Sequence, residues 1–461
     1  MNVEILARLQ FAFTISIHYI YPPLSIGLGL ILVLMEGLYL KTRNPLYHQM
    51  TRFWVKVFAL TFAIGVATGI VMEFEFGTNW ATYSRYVGDV FGSALAAEGI
   101  FAFFLESGFL AILVFGWDRV PPKMHFFATL MVALGSSLSA VWIVVANSWQ
   151  QTPAGFHIVG QGLTARAEIT DFWAMVFNPS SMDRLFHVVV AAWMSGAFLV
   201  TSVSAYYLLK NRHIDFAKAS MKIGLTVAVF ASCLQLFLGH RSVDGVARNQ
   251  PVKLAAYEGH FDSSRPMDLY LLGFVSEQKG TTSGIKLPGM GSWLLYGDST
   301  RPVRGLNDFA PRDRPPAARV FQTYHLMIAI GMGLIALSLL AAFLCLRGSL
   351  WKNKLVLRLL VIAVLGPQFA NQLGWFSAEM GRQPWVVYNL LRTSDALSKA
   401  VKANQVLGSL IMFGLVYTLL LALFIFLLDQ RIKEGPVEET HGPSDEPHGI
   451  EAVLSAKGLD V

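Results

Sequence analysis

Nine apolar stretches, each long enough to cross a lipid bilayer, constrain the fold of this 461-residue chain more than any other feature. A spanning helix needs about 20 mostly apolar residues, because the hydrocarbon core is about 30 Å thick and a helical residue rises about 1.5 Å. The stretches lie at about 11–38, 53–75, 94–116, 125–148, 185–209, 219–239, 320–346, 355–377 and 404–428. The first is too long for the apolar core of a signal peptide. The sequence therefore predicts an all-α integral membrane protein with about nine transmembrane helices.

The composition supports a membrane protein and excludes several other classes. Hydrophobic residues make up 54% of the chain and charged residues only 14%, against about a quarter charged in soluble domains. The net charge of +6 comes without a basic stripe carrying interleaved aromatics, so we expect no nucleic-acid partner. Cys233 and Cys345 both lie in apolar segments and predict neither a disulfide framework nor a thiolate metal site. The chain has no Walker A stretch, dinucleotide fingerprint or covalent haem-attachment motif.

The distribution of Lys and Arg predicts the orientation in the membrane. Four connections, at 41–52, 119–123, 210–222 and 347–354, are rich in these residues, whereas 77–93 carries only Arg85. Cytoplasmic connections collect Lys and Arg, so we expect the N-terminus outside and the C-terminus in the cytoplasm. The basic residues of the four connections are Lys41, Arg43, Arg52, Arg119, Lys123, Lys210, Arg212, Lys218, Lys222, Arg347, Lys352 and Lys354.

One outside connection and the C-terminal tail differ in composition from the apolar stretches. Residues 241–318 are polar and rich in Gly and Pro, and so long a connection usually serves a function or is partly disordered. The tail after Arg431 has the composition of a disordered segment. We therefore divide the chain into helices one to six (1–240), an extracytoplasmic loop (241–318), helices seven to nine (319–430) and a cytoplasmic disordered tail (431–461).

Few ionisable side chains lie within the apolar stretches, where such groups are costly and usually functional. With the predicted orientation, several of them fall in the outer half of the membrane. Glu36 lies near the cytoplasmic end, where we expect it to be solvated, and Glu73 and Glu75 are placed as interfacial residues. The full set is His18, Glu36, Glu73, Glu75, Glu98, Glu106, His187 and Glu379, with Arg358 at the margin.

Candidate haem ligands follow from these depths. His187 and Met327 each open a stretch from the outside, and alone they would be an interfacial histidine and a core methionine. At a shared depth, an imidazole and a thioether can ligate one haem iron from opposite sides. His18 and Glu379 each offer an axial ligand to a further haem with an open face. The membrane histidines are too few for a haem–copper oxidase.

A carboxylate pair on the third stretch suggests proton transfer. Glu106 lies eight residues beyond Glu98, which places it about 12 Å deeper on a broadly adjacent face. One carboxylate at the outer site and another between it and the cytoplasm form a candidate proton relay.

Seven stretches taken together resemble subunit I of cytochrome bd quinol oxidase, a bacterial terminal oxidase without copper. The similarity covers about residues 1–430 in the same order. The stretches are "RLQFAFTISIHY", "FWVKVFALTFAIGVATGIVMEFEFGTNW", "AAEGIFAFFLES", "FGWDR", "ALGSSLSAVWIVVANSW", "KLAAYE" and "GWFSAEMGRQPW".

The resemblance implies an activity, cofactors and partners. The family oxidises quinol at the outer face and reduces O2 to water, and protons drawn from the cytoplasm generate a proton motive force without pumping. The implied cofactors are a low-spin haem b, a high-spin haem b and a haem d, or a further haem b in its place. The implied partners are oxidase subunit II, a small single-helix accessory subunit, ubiquinol or menaquinol, O2 and the lipid of the bacterial inner membrane.

The resemblance also implies roles for individual residues. His187 and Met327 match the axial pair of the low-spin haem, and His18 and Glu379 match the ligands of the two high-spin haems. The remaining matches are Glu98 facing the oxygen-reducing haem, Glu106, Ser107 and Ser139 in a proton pathway, Trp375 between the high-spin haems, and Gln250, Lys253 and Glu258 in the quinol-oxidising stretch. Arg382 would offset the charge of Glu379 or bind a haem propionate.

Two departures and two alternatives remain open from the sequence. His325 stands two residues before Met327, where the best-known branch carries Arg. The connection 241–318 is shorter than in the long-loop branch, so the chain resembles a short-loop form, some members of which are cyanide-insensitive. One alternative is an electron-transfer paralogue without oxygen chemistry. The other is a carboxylate-relay transporter, which leaves His187 and Met327 unexplained.

Overall fold

Helices that could span a membrane dominate the computed structural model, which describes residues 2–437. Nine of them are found in that range, which confirms the predicted helical membrane fold, and short β hairpins are added only in the connections. Their bounds are Val3–Thr42, Pro45–Thr78, Gly88–Phe115, Pro122–Gln151, Ser181–Leu209, Ile214–Asn249, Pro311–Leu346, Lys354–Met380 and Ala403–Glu434. Most of the tail predicted to be disordered, 438–461, lies outside the described residues.

The individual elements subdivide several of these spans. The helices are α1 Val3–His18, α2 Tyr21–Thr42, α3 Pro45–Thr78, α4 Ala81–Tyr86, α5 Gly88–Glu98, α6 Phe104–Phe115, α7 Pro122–Gln151, α8 Phe172–Val176, α9 Ser181–Leu209, α10 Ile214–Asn249, α11 Pro251–Tyr257, α12 Met290–Tyr296, α13 Ala317–Leu346, α14 Lys354–Ile362, α15 Leu365–Met380 and α16 Ala403–Glu434. Three antiparallel hairpins are formed by β1 Phe156–Val159 with β2 Arg166–Ile169, β3 Leu269–Ser276 with β4 Thr281–Leu287, and β5 Trp385–Val387 with β6 Leu391–Arg392.

The first span is interrupted just after His18, where the sequence predicted a continuous helix. Pro22 and Pro23 lie in the first turn of α2, and proline has no N–H to donate to the carbonyl four residues earlier. The α-helical hydrogen bonding of α1 therefore ends at His18. This break fixes the imidazole at a helix end, beside α3.

Helix α9 lies at the centre of the bundle and packs against α2, α7, α10, α14 and α15. Its crossing with α2 is close because Gly27 and Gly196 face each other there. A Cβ on Gly27 would lie 2.6 Å from the backbone nitrogen of Gly196. Small residues allow this kind of backbone approach in membrane helices.

The connection 241–318 is folded over much of its length. Helix α10 continues through Asn249, α11 follows immediately, and β3 pairs with β4 from Leu269–Leu287 to Ser276–Thr281. Both α11 and β3 pack against α13. We refer to the end of the bundle that carries this connection as the loop side.

Candidate functional site

The carboxylate of Glu379 is the centre of a buried hydrogen-bond network at the loop-side end of α15. One oxygen accepts from Asn147 Nδ2 at 3.2 Å and from Gln151 Nε2 at 3.1 Å. The other accepts from the guanidinium of Arg382, which is only 5% exposed. Because Arg382 also donates to the Trp385 carbonyl at 3.2 Å, the turn after α15 holds its guanidinium in place.

A second guanidinium, that of Arg184, joins this network and was missed by the sequence reasoning. Arg184 lies one turn before His187 on α9 and donates to the side-chain and backbone oxygens of Asn147. Together with Arg382 and Lys253, it is close enough to interact electrostatically with Glu379. A basic residue at the outer end of an apolar stretch, one turn from a candidate ligand, was the signal available in the sequence.

The cluster around Glu379 holds more cationic than anionic groups. Two guanidinium groups, those of Arg184 and Arg382, and the buried amine of Lys253 surround the single carboxylate. Buried cations need anionic partners, and guanidinium groups bind carboxylates in bidentate fashion. The excess of positive charge therefore fits the propionates of a haem.

The segment that resembles the quinol-oxidising stretch contacts this network directly. Gln250 Nε2 donates to the Gln151 carbonyl at 3.0 Å, and Lys253 Nζ donates to Gln250 Oε1 at 2.5 Å and to Gln151 Oε1. Lys253 is only 2% exposed. Burial lowers the pKa of Lys253 well below its usual range, and the neighbouring Arg184 and Arg382 lower it further. Gln151 thus bridges Lys253 and Glu379.

Glu258 lies at the end of α11 in a pocket with aromatic walls. Its carboxyl accepts a hydrogen bond from the Tyr324 hydroxyl, and the ring of Tyr324 stacks on Tyr257 with centroids 4.4 Å apart. Among the described residues, no group bonds to Glu258 Oε2. Burial raises the pKa of Glu258 to about 7. A carboxyl group that titrates near neutral pH can accept a proton and pass it on.

The predicted axial ligands His187 and Met327 offer an imidazole and a thioether, which are donor types of a six-coordinate haem. The imidazole of His187 contacts Gln235 Nε2 at 3.0 Å. A Cβ on Gly374 would lie 2.7 Å from Met327 Sδ, so a larger residue at position 374 would displace the thioether from this position. His325 is held elsewhere, because its Nδ1 bonds to the Phe321 carbonyl at 3.0 Å and its ring stacks on Phe321.

His18 and Trp375 lie where α1 meets α3 and α15. The Nδ1 atom of His18 is 3.0 Å from Thr68 Oγ1, and a Cβ on Gly69 would lie 3.1 Å from the imidazole. The ring of Trp375 is 6.1 Å from that of Phe11 on α1. As at Met327, a glycine leaves space beside the candidate ligand.

The two carboxylates of the predicted relay are each bound by a serine of α7. Ser139 Oγ donates to Glu98 Oε1 at 2.5 Å, and Ser136 Oγ donates to Glu106. Ser136 was missed by the sequence reasoning, although it lies one turn before Ser139. The predicted Ser107 is not brought to Glu106, because it is exposed and donates to the Phe103 carbonyl at 2.7 Å.

A π-helical turn, Gly99–Phe103, separates Glu98 from Glu106. Such turns occur within longer helices and often at functional sites. A π-helical turn has i→i+5 hydrogen bonds instead of i→i+4. The angle between the two carboxylates about the helix axis therefore differs from that in an ideal α-helix. Both nevertheless face α7.

Two acidic residues that we expected at the surface are buried. Glu36 is 2% exposed and pairs with His125 Nδ1 at 2.7 Å and Thr129 Oγ1 at 2.5 Å. Glu75 is fully buried on α3, next to Gln10 and Thr14 of α1. The expectations of a solvated Glu36 and an interfacial Glu75 were wrong, because their positions along the helices do not show which neighbouring helices cover them.

The fold and site define a multi-pass membrane redox protein of the haem-binding kind. Two imidazoles, a thioether and a carboxylate lie in four helices, with small residues and guanidinium groups beside them. Comparison with known proteins identifies the group more closely. Residues 6–436 match the family described as cytochrome bd terminal oxidase subunit I, and the chain belongs to that family.

Individual relatives support this assignment over nearly the whole chain. The chain is 38% identical to cytochrome bd ubiquinol oxidase subunit 1 of Bacillus subtilis (strain 168), covering 96% of both chains. It is 35% identical to cytochrome bd-II ubiquinol oxidase subunit 1 of Escherichia coli (strain K12), covering 94% of this chain and 96% of the relative. The bd oxidase structure from Geobacillus thermodenitrificans matches with a TM-score of 0.87 and 27% identity, over 94% and 99% of the two chains.

The family assignment fixes the general role of the chain. It is a subunit of a terminal respiratory oxidase and a multi-pass protein of the inner membrane. Haem is the cofactor class of this family.

Proposed function

We propose that this subunit oxidises quinol at the loop side, reduces O2 to water at a high-spin haem, and draws protons for that reaction from the cytoplasm. The observation that carries the proposal is the position of Gln151. This buried residue contacts Gln250 and Lys253 of the quinol-like stretch and also Glu379. The names of the Bacillus subtilis and Escherichia coli relatives support a quinol substrate.

Proton release is assigned to the residues around α11. A quinol gives up two protons and two electrons on oxidation, and Glu258 is suited to take a proton because its pKa is about 7. Gln250 and Lys253 supply polar groups that can orient the quinol oxygens. The released protons leave on the loop side, which we place outside the cell.

Electron transfer and oxygen reduction are assigned to bound haem. His187 and Met327 would hold a low-spin haem b, and His18 and Glu379 would hold a high-spin haem b and a haem d, or a further haem b in its place. When bound, these groups supply one-electron transfer and O2 reduction without copper. Arg184 and Arg382, which bond to Asn147 and Glu379, would bind propionates. Trp375, whose ring lies near that of Phe11 on α1, would lie between the high-spin haems.

Proton uptake for oxygen reduction is assigned to α5, α6 and α7. Glu106 with Ser136 would pass protons toward Glu98 with Ser139, nearer the loop side. Protons are then consumed from one side and released on the other. This separation generates a proton motive force without a pump, in a complex with a second subunit and, in the arrangement we favour, a small accessory subunit.

The test uses the purified complex reconstituted in liposomes with ubiquinol or menaquinol. We expect O2-dependent quinol oxidation, acidification on the loop side, and a reduced-minus-oxidised spectrum with low-spin and high-spin haem. Pyridine haemochrome analysis distinguishes haem d from haem b. A single low-spin haem without oxygen consumption would contradict the proposal and favour an electron-transfer paralogue. A sample without haem would exclude both.

A further inference from the structure

The β3–β4 hairpin carries an apolar face that nothing in the described chain covers. Leu272 lies opposite Ile285, and Phe274 lies opposite Ser283. Residues directly opposite in an antiparallel pair point to the same face. Leu272, Phe274 and Ile285 are 68%, 77% and 61% exposed. Leu271, at the register shift of β3, is also exposed.

The opposite face of the hairpin packs on the side of α13. Gln322 Nε2 donates to the Gly273 carbonyl at 2.7 Å, and the ring of Tyr270 lies 5.9 Å from that of Phe321. These contacts lie more than one turn inside α13, which begins at Ala317. The hairpin therefore lies beside the helix rather than above its end, and its apolar face points laterally, away from the bundle.

The length of α13 gives the depth of the hairpin in the membrane. The helix has 30 residues and is about 45 Å long, whereas the hydrocarbon core is about 30 Å thick. Counted from Leu346 at the other end, the hydrocarbon boundary falls near residue 326, at about 1.5 Å per residue. Gln322 then lies roughly 6 Å beyond the boundary, within the headgroup region.

The surroundings of the face resemble a membrane interface. On α12, Trp293 and Tyr296 are exposed, and the guanidinium of Arg301 lies 3.9 Å from the centroid of the Tyr296 ring. Aromatic and basic side chains of this kind are enriched at the headgroup level. Below the hairpin, α13 continues with the exposed apolar residues Ile328 and Met332. The hairpin face thus extends the lipid-facing surface of α13.

We propose that the apolar face of the β3–β4 hairpin is a lipid-contact surface that rests in the headgroup region of the loop-side leaflet. Thr282 of β4 donates to the Gly259 carbonyl at 2.6 Å, so the contact also ties the residues after α11 to the bilayer. This lipid contact does not depend on the proposed oxidase activity.

The test measures where a spin label on the hairpin lies relative to the bilayer. In a Cys233→Ser, Cys345→Ser background, Phe274→Cys is labelled in the assembled complex and reconstituted in phosphatidylethanolamine–phosphatidylglycerol vesicles. Met332→Cys serves as the lipid-facing reference and Arg265→Cys as the water-facing reference. Collision rates are measured with O2, which concentrates in lipid, and with a water-soluble nickel complex. We expect the O2-to-nickel ratio at position 274 to exceed that at position 265 at least threefold.

Two results would overturn the proposal. A ratio at position 274 equal to that at position 265 would place the face in water. Low collision rates with both reagents would show that a protein partner covers it. Ile285→Cys, on the same face, provides an independent label site if Phe274→Cys fails to assemble, and the haem spectrum verifies assembly of each variant.

Discussion

Gln151 contacts residues from two parts of the protein that are far apart in the sequence. Its side-chain amide donates to Glu379, its side-chain oxygen accepts from Lys253, and its backbone carbonyl accepts from Gln250. Both partners of the side chain are ionisable; Lys253 is buried and Glu379 is half-buried. Hydrogen bonds to charged groups contribute about 1.5–3 kcal/mol each. We therefore expect a change at Gln151 to affect both quinol oxidation and the haem bound near Glu379.

Gln151→Ala should lower kcat/KM for quinol about tenfold or more, because a loss of about 1.4 kcal/mol corresponds to a factor of ten. It should also perturb the high-spin haem absorption, because Glu379 loses a donor. Steady-state quinol oxidation and absorption spectra measure the two effects. Gln278→Ala, at an exposed turn position, is the matched control. A variant that loses quinol activity with an unchanged spectrum would contradict a bridging role.

The raised pKa of Glu258 predicts a pH dependence. Burial raises this pKa to about 7, so the carboxyl is protonated at lower pH and cannot accept a proton from quinol. We expect kcat/KM to rise with pH, about tenfold per unit well below pH 7, and to level off above it. Glu258→Gln should give a lower rate without this rise.

The stability of the wild-type protein has the opposite dependence on pH from its activity. A raised pKa means that the fold favours the neutral carboxyl, so stability decreases as the pH rises from about 4.5 through 7. Glu258→Gln should therefore be at least as stable as the wild type at pH 8. The control is Asp298→Asn, because hydrogen bonds from Thr300 hold the pKa of the exposed Asp298 below its usual range. If Asp298→Asn altered the pH dependence of kcat/KM or of stability, the assignment of that dependence to Glu258 would be contradicted.

At the scale of elements, the pairing of α7 with α5 and α6 predicts which serines take part in proton uptake. Ser136→Ala removes a hydroxyl that donates to Glu106 and should slow O2 consumption about tenfold, given about 1.5 kcal/mol for such a bond. Ser139→Ala should have a similar effect through Glu98. Ser107→Ala should leave turnover unchanged, because its hydroxyl bonds within its own helix on an exposed face.

Oxygen consumption at saturating quinol measures these effects, with the haem spectrum as the check on assembly. If Ser107→Ala consumed oxygen as slowly as Ser136→Ala, the proton pathway would have to run along the other face of α6. Loss of haem in Ser136→Ala would show a structural role instead.

The close crossing of α2 and α9 predicts that an added methyl group there lowers the stability of the complex. A Cβ on Gly27 meets the backbone of α9 at Ala192 and Gly196, and overpacking of this kind costs about 1–3 kcal/mol. Gly27→Ala should lower the temperature at which the complex loses its haem absorption by several degrees. Gly331→Ala on α13, where a Cβ meets no atom within 4 Å, should not. Equal melting temperatures for Gly27→Ala and Gly331→Ala would show that the α2–α9 crossing accommodates the added methyl group.

The elements also show what the sequence can predict. The nine spans follow from length and apolarity alone, and they were predicted. The break after His18 was not, although Pro22 and Pro23 signal it, because the apolar run continues through both prolines. The β3–β4 hairpin was missed because apolar and polar residues do not alternate clearly along its two Gly-containing strands, which depend on packing against α13.

Site residues divide in a similar way. Candidate ligands could be found from residue type and depth in the membrane. Partners that come from distant helices could not: His125 for Glu36, Ser136 for Glu106 and Asn147 for Arg184. These pairings depend on the rotation of one helix against another, and the spacing along a single helix does not contain that information.

At the scale of the whole molecule, the distribution of Lys and Arg predicts the orientation. In a chain without its native cysteines, Gln161→Cys lies in the exposed turn of the β1–β2 hairpin, on the side we place outside. Lys352→Cys lies in a connection placed in the cytoplasm. A thiol reagent that cannot cross the membrane should label position 161 in intact cells. It should label position 352 only after permeabilisation, and the reverse pattern would invert the topology.

The shared contacts of Gln151 have a consequence for inhibitors. Any ligand that binds at Lys253 and displaces Gln151 changes the free energy of the group bound to Glu379 at the same time. Thermodynamic linkage requires this coupling to be reciprocal. If a quinol analogue weakens the binding of a haem-directed inhibitor by some factor, that inhibitor weakens the analogue by the same factor. Pairs of such compounds would be mutually antagonistic, and the size of their antagonism would report the strength of one glutamine bridge.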